Sequence, residues 1–77
     1  MTEVIFRIYQ SENEVIALFP NEIANSDGDV GSYTHFGQHS IADYDLVMQQ
    51  TKPATKEQYT QLYNELVRIG YNDLEIL

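Results

Sequence analysis

Two histidines, His35 and His39, stand four positions apart in THFGQHS, and Asp43 follows four later. On a helix this spacing puts all three on one face, and two imidazoles with a carboxylate form a donor set for a divalent transition metal. The residues around them argue otherwise. Gly37 and a capping serine at position 40 predict that residues 35–39 are not helical, and off a helix a spacing of four fixes no geometry. The chain has no cysteine and no third histidine, so the ligand count also falls short of what a site requires. No metal and no cofactor is expected. Each histidine reads as solvated or bound to backbone.

Other arrangements also fail on their chemistry. Asn25, Asp27 and Asp29 begin like a calcium loop, but the sixth position is Val30 and the twelfth is Phe36. A calcium loop needs glycine and glutamate there. Gly28-Asp29-Val30-Gly31 has the outline of a phosphate-clamping GxxG turn, yet Asp27 and Asp29 would repel phosphate. No phosphate-binding loop, dinucleotide fingerprint or nucleophile elbow is present. Ser40 and His39 are neighbours whose side chains splay apart. Asp43 and Asp45, two apart on a helix, do not face each other. With no nucleophile beside a base, an enzyme is not expected.

Periodicity predicts the elements that hold these residues. Residues 3–10 alternate, with Val4, Phe6 and Ile8 facing a core. Residues 14–19 form a second strand, joined to the first by a polar three-residue hairpin turn, and Pro20 ends it for want of an N–H. Residues 21–32 read as a loop from which Ile23 reaches the core. Residues 33–36 form a short third strand. Ser40 starts a helix, with Asp43 in a capping-box-like position and Ile41, Tyr44, Val47 and Met48 as its apolar stripe. That helix ends near Gln50, because Lys52 precedes Pro53. Thr55 caps a second helix, Gln58 completes its capping box, and Gly70 closes it. Tyr59, Leu62, Tyr63, Leu66 and Ile69 form its stripe. Residues 72–77 alternate again, with Leu74 and Ile76 inward, as a strand beside the first hairpin. The expected fold class is α+β: a small antiparallel sheet of three to four strands with both helices on one face, in the order β-β-(β)-α-α-β.

Composition bounds the rest. At 77 residues the chain is one small domain, and 43% hydrophobic content argues against disorder. The absence of cysteine fits a reducing compartment. The N-terminus has no basic leader and the longest apolar run, VIALF, is far too short to span a membrane. The expected location is the cytoplasm. Twelve acids against four bases give a net charge of −8. With Arg7, Lys52, Lys56 and Arg68 scattered, direct binding to nucleic acid or to an anionic membrane is not expected. Six tyrosines against three phenylalanines and no tryptophan read first as boundary residues of a thin core. They also suit a contact surface, since tyrosine offers large area at small entropic cost. Acids recur two apart at Glu12/Glu14, Asp27/Asp29, Asp43/Asp45 and Asp73/Glu75, a spacing that shares one face of a strand.

The runs VIALFP, SYTHFGQHSIADYD and TKPATKEQYTQLYNELVRIGYNDLEI together resemble a group of small uncharacterised single-domain proteins of gut bacteria and their mobile elements or phages. The likeness covers nearly the whole chain. HFGQHS-ADY, and KPAT followed by a helix and IGYN, are its distinctive pieces. The resemblance implies a free-standing intracellular domain. It implies no activity.

The expected function is that of a small non-enzymatic binding module working through protein–protein contacts, with a homodimer and a mobile-element accessory role as its specific forms. An alternative is metal or small-ligand binding through the His35/His39 segment. A second is an acidic mimic of nucleic acid. The candidate site is the segment from Tyr33 to Asp43, and Tyr33, His35, Gln38, His39, Asp43 and Tyr44 are the expected binding residues. Loops and helix starts present side chains and free N–H groups outward.

Overall fold

A computed structural model describes residues 1–77. The chain runs β1 (Thr2–Tyr9), β2 (Glu14–Ile23), β3 (Val30–Thr34), β4 (Gln38–Ala42), α1 (Tyr44–Gln50), β5 (Lys52–Pro53), α2 (Lys56–Ile69) and β6 (Leu74–Ile76). The strands form one six-stranded sheet in the order β4-β3-β2-β1-β5, with β6 also on β1. All neighbours are antiparallel except β1 and β6, which are parallel. The fold is α+β, as expected, but the sheet is larger. β4 and β5 are additions to the expected order.

The helices lie on opposite faces of the sheet, which corrects the expectation of a single covered face. Strand alternation sends successive side chains to opposite sides. Val4 and Phe6 of β1, Ala17 and Phe19 of β2 and Tyr33 of β3 pack with Leu62 and Leu66 of α2. The intervening Ile16 and Leu18, with Val30, pack on Val47 of α1, and Ile5, Tyr9, Tyr44 and Met48 border them. Both faces of β2 are therefore apolar. The continuous run VIALF is the signature of a strand covered on two sides.

The hairpin β1–β2 and helix α2 form as the sequence predicts. Asn13 takes the left-handed conformation (φ 53°) in the first turn. Thr55 and Gln58 complete a capping box, and Gly70, at φ 128°, sends its N–H back to Leu66 and Val67. Elsewhere the boundaries move. β2 does not stop at Pro20. It continues to Ile23 through an irregularity in its pairing with β3, the setting in which a strand tolerates proline. Ile23 stays 64% exposed rather than entering the core. The third strand is 30–34, so His35 and Phe36 fall in a turn.

Ser40 caps nothing. It sits in β4, and Asp43 is the N-cap of α1, its carboxylate accepting from Leu46 N–H at 3.1 Å. Ile41 accordingly lies on a strand, exposed, rather than in a helical stripe. Ile76 is also exposed, while Leu74 packs on the α2 side.

Candidate functional site

The β3–β4 hairpin gathers four of the six candidate residues. Thr34 pairs with Gln38 and Tyr33 with His39, leaving His35, Phe36 and Gly37 as the turn. The turn is fastened from inside. Thr34 Oγ1 accepts from Gly37 N–H at 2.8 Å. Gln38 holds a left-handed backbone, φ 59°, which a side chain with a Cβ adopts only when its surroundings hold it. Here the amide does so: Gln38 Nε2 donates to the His35 carbonyl, and Gln38 Oε1 faces the Tyr33 hydroxyl at 3.0 Å.

The turn is also fastened from outside, by Glu65 of α2. The carboxylate accepts from the Tyr33 hydroxyl through Oε2 and contacts His35 Nδ1 through Oε1 at 2.6 Å. A carboxylate can only accept, so His35 carries its hydrogen on Nδ1. Tyr33 is 1% exposed, and its single hydroxyl hydrogen lies between two acceptors, of which the charged one is the stronger. The bond to Glu65, then burial, raises the Tyr33 pKa above the ordinary value. The same bond, then the one from His35, lowers Glu65 below the usual carboxylate range.

These shifts run away from neutrality. A proton-transfer catalyst needs an acid or base tuned toward the working pH. Glu65 becomes a weaker base and Tyr33 a weaker acid, and the contacts from Tyr33 and His35 to Glu65 fasten β3 and its turn to α2.

His39 makes a separate contact. Its Nε2 lies 2.9 Å from the Tyr71 hydroxyl, and its ring meets Tyr33 edge-on at 4.8 Å. Tyr71 stacks on Phe19 at 5.3 Å. Burial, then the charge of Glu22, raises its pKa. His35 and His39 are thus held by different partners, and no group of three or more His, Asp or Glu side chains is arranged to hold a metal.

Asp43 and Tyr44 stand apart from this cluster. Asp43 is occupied as a helix cap, and Tyr44 packs against the core on the α1 side. The polar loop is self-contained too. Asn25 Oδ1 accepts from the N–H groups of Asp27 and Asp29, and its amide donates to Asp29.

What the fastened turn displays is Phe36, 85% exposed. Beside it runs an open groove of about 980 Å³ between the β1–β2 turn and α2. Ile8, Val15 and Leu62 line it from the core side. Glu12, Glu14, Glu57 and Glu65 line it together with His35 and one arginine, Arg68. Three of these participants are not among the expected binding residues: Glu65 and Tyr71, which lie outside the candidate segment, and Phe36, which lies within it. Glu65 carries a faint signal, an acid at the margin of the Leu62/Leu66 stripe. Phe36 carries a stronger one, a large aromatic beside glycine in a turn.

Comparison with known proteins returns no matching family, no similar curated protein and no similar solved structure.

Proposed function

We propose that the protein is a small non-enzymatic binding module that engages a protein partner at the Phe36 turn and the groove beside it. One observation carries this reading: an exposed phenylalanine on a turn that is tied down by Glu65, Gln38 and Thr34. Exposed aromatics on fixed supports are the usual anchors of interfaces, because little freedom remains to be lost on binding. Four glutamates against one arginine along the groove favour a partner segment carrying lysine or arginine. The mobile-element role rests on the sequence resemblance alone.

The test is a photo-reactive benzoyl-phenylalanine placed at position 36 in cells, with the same residue at exposed Val67 on α2 as the comparison. An adduct formed at 36 and not at 67 identifies the partner. With that partner purified, Phe36→Ala should weaken binding at least about tenfold, the scale of a hot-spot residue, and added salt should weaken it further. No adduct at 36, or equal adducts at both positions, would overturn the reading.

A further inference from the structure

The sheet has two edges, and they are finished differently. The outer side of β1 is covered by β5 along Arg7 and Ile8 and by β6 along Thr2–Val4. Those strands are two and three residues long and carry Lys52, Pro53 and Glu75. Short length, lysine and proline are the devices by which proteins keep sheet edges from pairing further. The other edge is β4, Gln38–Ala42. It is five residues long and exposed, and it has neither proline nor a charged side chain.

The absence of charge extends beyond the strand. Residues 30–42, the whole β3–β4 hairpin, contain no Asp, Glu, Lys or Arg, in a chain whose net charge is −8. Two copies repel wherever their acids approach, so a contact between copies is favoured where acids are missing. The hairpin edge meets that condition. A strongly basic partner would gain nothing from it.

We propose that β4 pairs antiparallel with β4 of a second copy of this chain, joining the two sheets across a two-fold axis through Ser40. This register is self-complementary. His39 falls opposite Ile41 of the other copy and Gln38 opposite Ala42, and Ser40 faces its own equivalent. No pair sets like charges against each other, which would be unfavourable. His39 and Ile41 point to the α2 side, as their pairing with Tyr33 and Gly31 fixes. Ile41, 55% exposed in the single chain, is covered in the pair. Five residues from each copy make an interface at the small end of the range, under about 1,200 Å², so the dimer forms at high concentration and dissociates on dilution.

The proposal stands independently of the groove, and salt separates the two. Screening of the −8 charges strengthens a contact between copies and weakens the hold on a basic partner. The test is sedimentation equilibrium across a concentration series at low and high salt, with the parent chain, Ser40→Thr, Ser40→Lys and Ser40→Glu. The parent and Ser40→Thr should dimerise, more so in salt. Ser40→Lys and Ser40→Glu should both remain monomeric with unchanged circular dichroism, because each sets like charges face to face. A parent monomeric at millimolar concentration overturns the proposal. So does a dimer that survives both charged substitutions.

Discussion

The hydroxyl of Tyr33, buried in the α2-side core, donates to the carboxylate of Glu65 across 32 positions of sequence. This one bond joins the third strand to the long helix and fixes the root of the Phe36 turn. Replacing Glu65 by Leu leaves Tyr33 with Gln38 Oε1 alone and removes the contact to His35. The expected loss is about 1.5–3 kcal/mol, the range for a hydrogen bond to a charged group, because Gln38 keeps the Tyr33 hydroxyl paired. Glu65→Gln, which keeps an acceptor, should lose less. Urea unfolding of the three proteins measures the difference, and a Leu variant as stable as the parent would deny the bond its role.

Stability should fall at both ends of the pH scale. Glu65 has its folded pKa lowered, so its contribution is present above the unfolded value of about 4.3 and is lost as pH falls through the lower folded value. Tyr33, Tyr9 and Tyr71 are raised. They keep their protons while the unfolded chain begins to lose them, so stability holds below about pH 10 and declines as pH climbs through the folded values. Urea midpoints from roughly pH 3 to 11 trace this curve. Glu65→Gln should flatten its acid limb, and an unaltered acid limb would assign the loss to other carboxylates.

Gly37 and Thr34 should behave as a coupled pair. A Cβ on Gly37 would lie 2.7 Å from Thr34 Oγ1, so Gly37→Ala forces the threonine to turn away from the Gly37 N–H it accepts from. Thr34→Ala removes the same bond. Each change should cost about 0.5–1.5 kcal/mol, and together little more than one alone. A double-mutant cycle by thermal or urea unfolding checks this. Simple additivity would show that the bond is not what they share.

Arg7 should prove essential to the short helix. Its Nε donates to Thr51 Oγ1 at 3.0 Å, and Nη2 donates to the Met48 and Thr51 carbonyls at 3.1 and 2.7 Å. Helix α1 has no basic residue of its own in its last turn, so this strand arginine does the work of a C-terminal cation. Arg7→Met should cost about 1.5–3 kcal/mol, the scale of charge-assisted bonds, and speed hydrogen exchange of α1 amides ahead of the sheet. Arg7→Lys, which lacks the fork, should recover only part of it. Uniform exchange across the molecule would contradict this local role.

What the sequence revealed tracked how local the determinants were. Helix α2 was readable because Thr55, Gln58 and Gly70 act within one turn of its ends. The inward set Val4, Phe6 and Ile8 was readable because alternation alone defines it, and all three are buried. The start of α1 was misread because Ser40 and Asp43 are both capping residues. The strand Gln38–Ala42 lacks the branched apolar residues that would have claimed Ser40 for a sheet. Placement of the helices on one face failed for a related reason. The two-sided burial of VIALF is visible only as a run without alternation, which also fits other elements. Of the candidate residues, Tyr33, His35, Gln38 and His39 do meet, but in the β3–β4 hairpin rather than at the start of a helix. Their partners Glu65 and Tyr71 lie about thirty positions on, where no spacing rule reaches.

The parallel pairing of β6 with β1 has a kinetic consequence. Thr2 is bonded to Asp73, 71 positions away, and Leu77 N–H reaches back to the Val4 carbonyl. Contacts that distant bear a large loop-closure penalty and form late. While the chain is being synthesised, β1 can pair first with VIALF on one side; β5 then covers its other flank at Arg7 and Ile8, and the Thr2–Val4 stretch stays open until residues 74–77 emerge. That interval, rather than the finished molecule, is when this sheet is most exposed to joining the wrong strand.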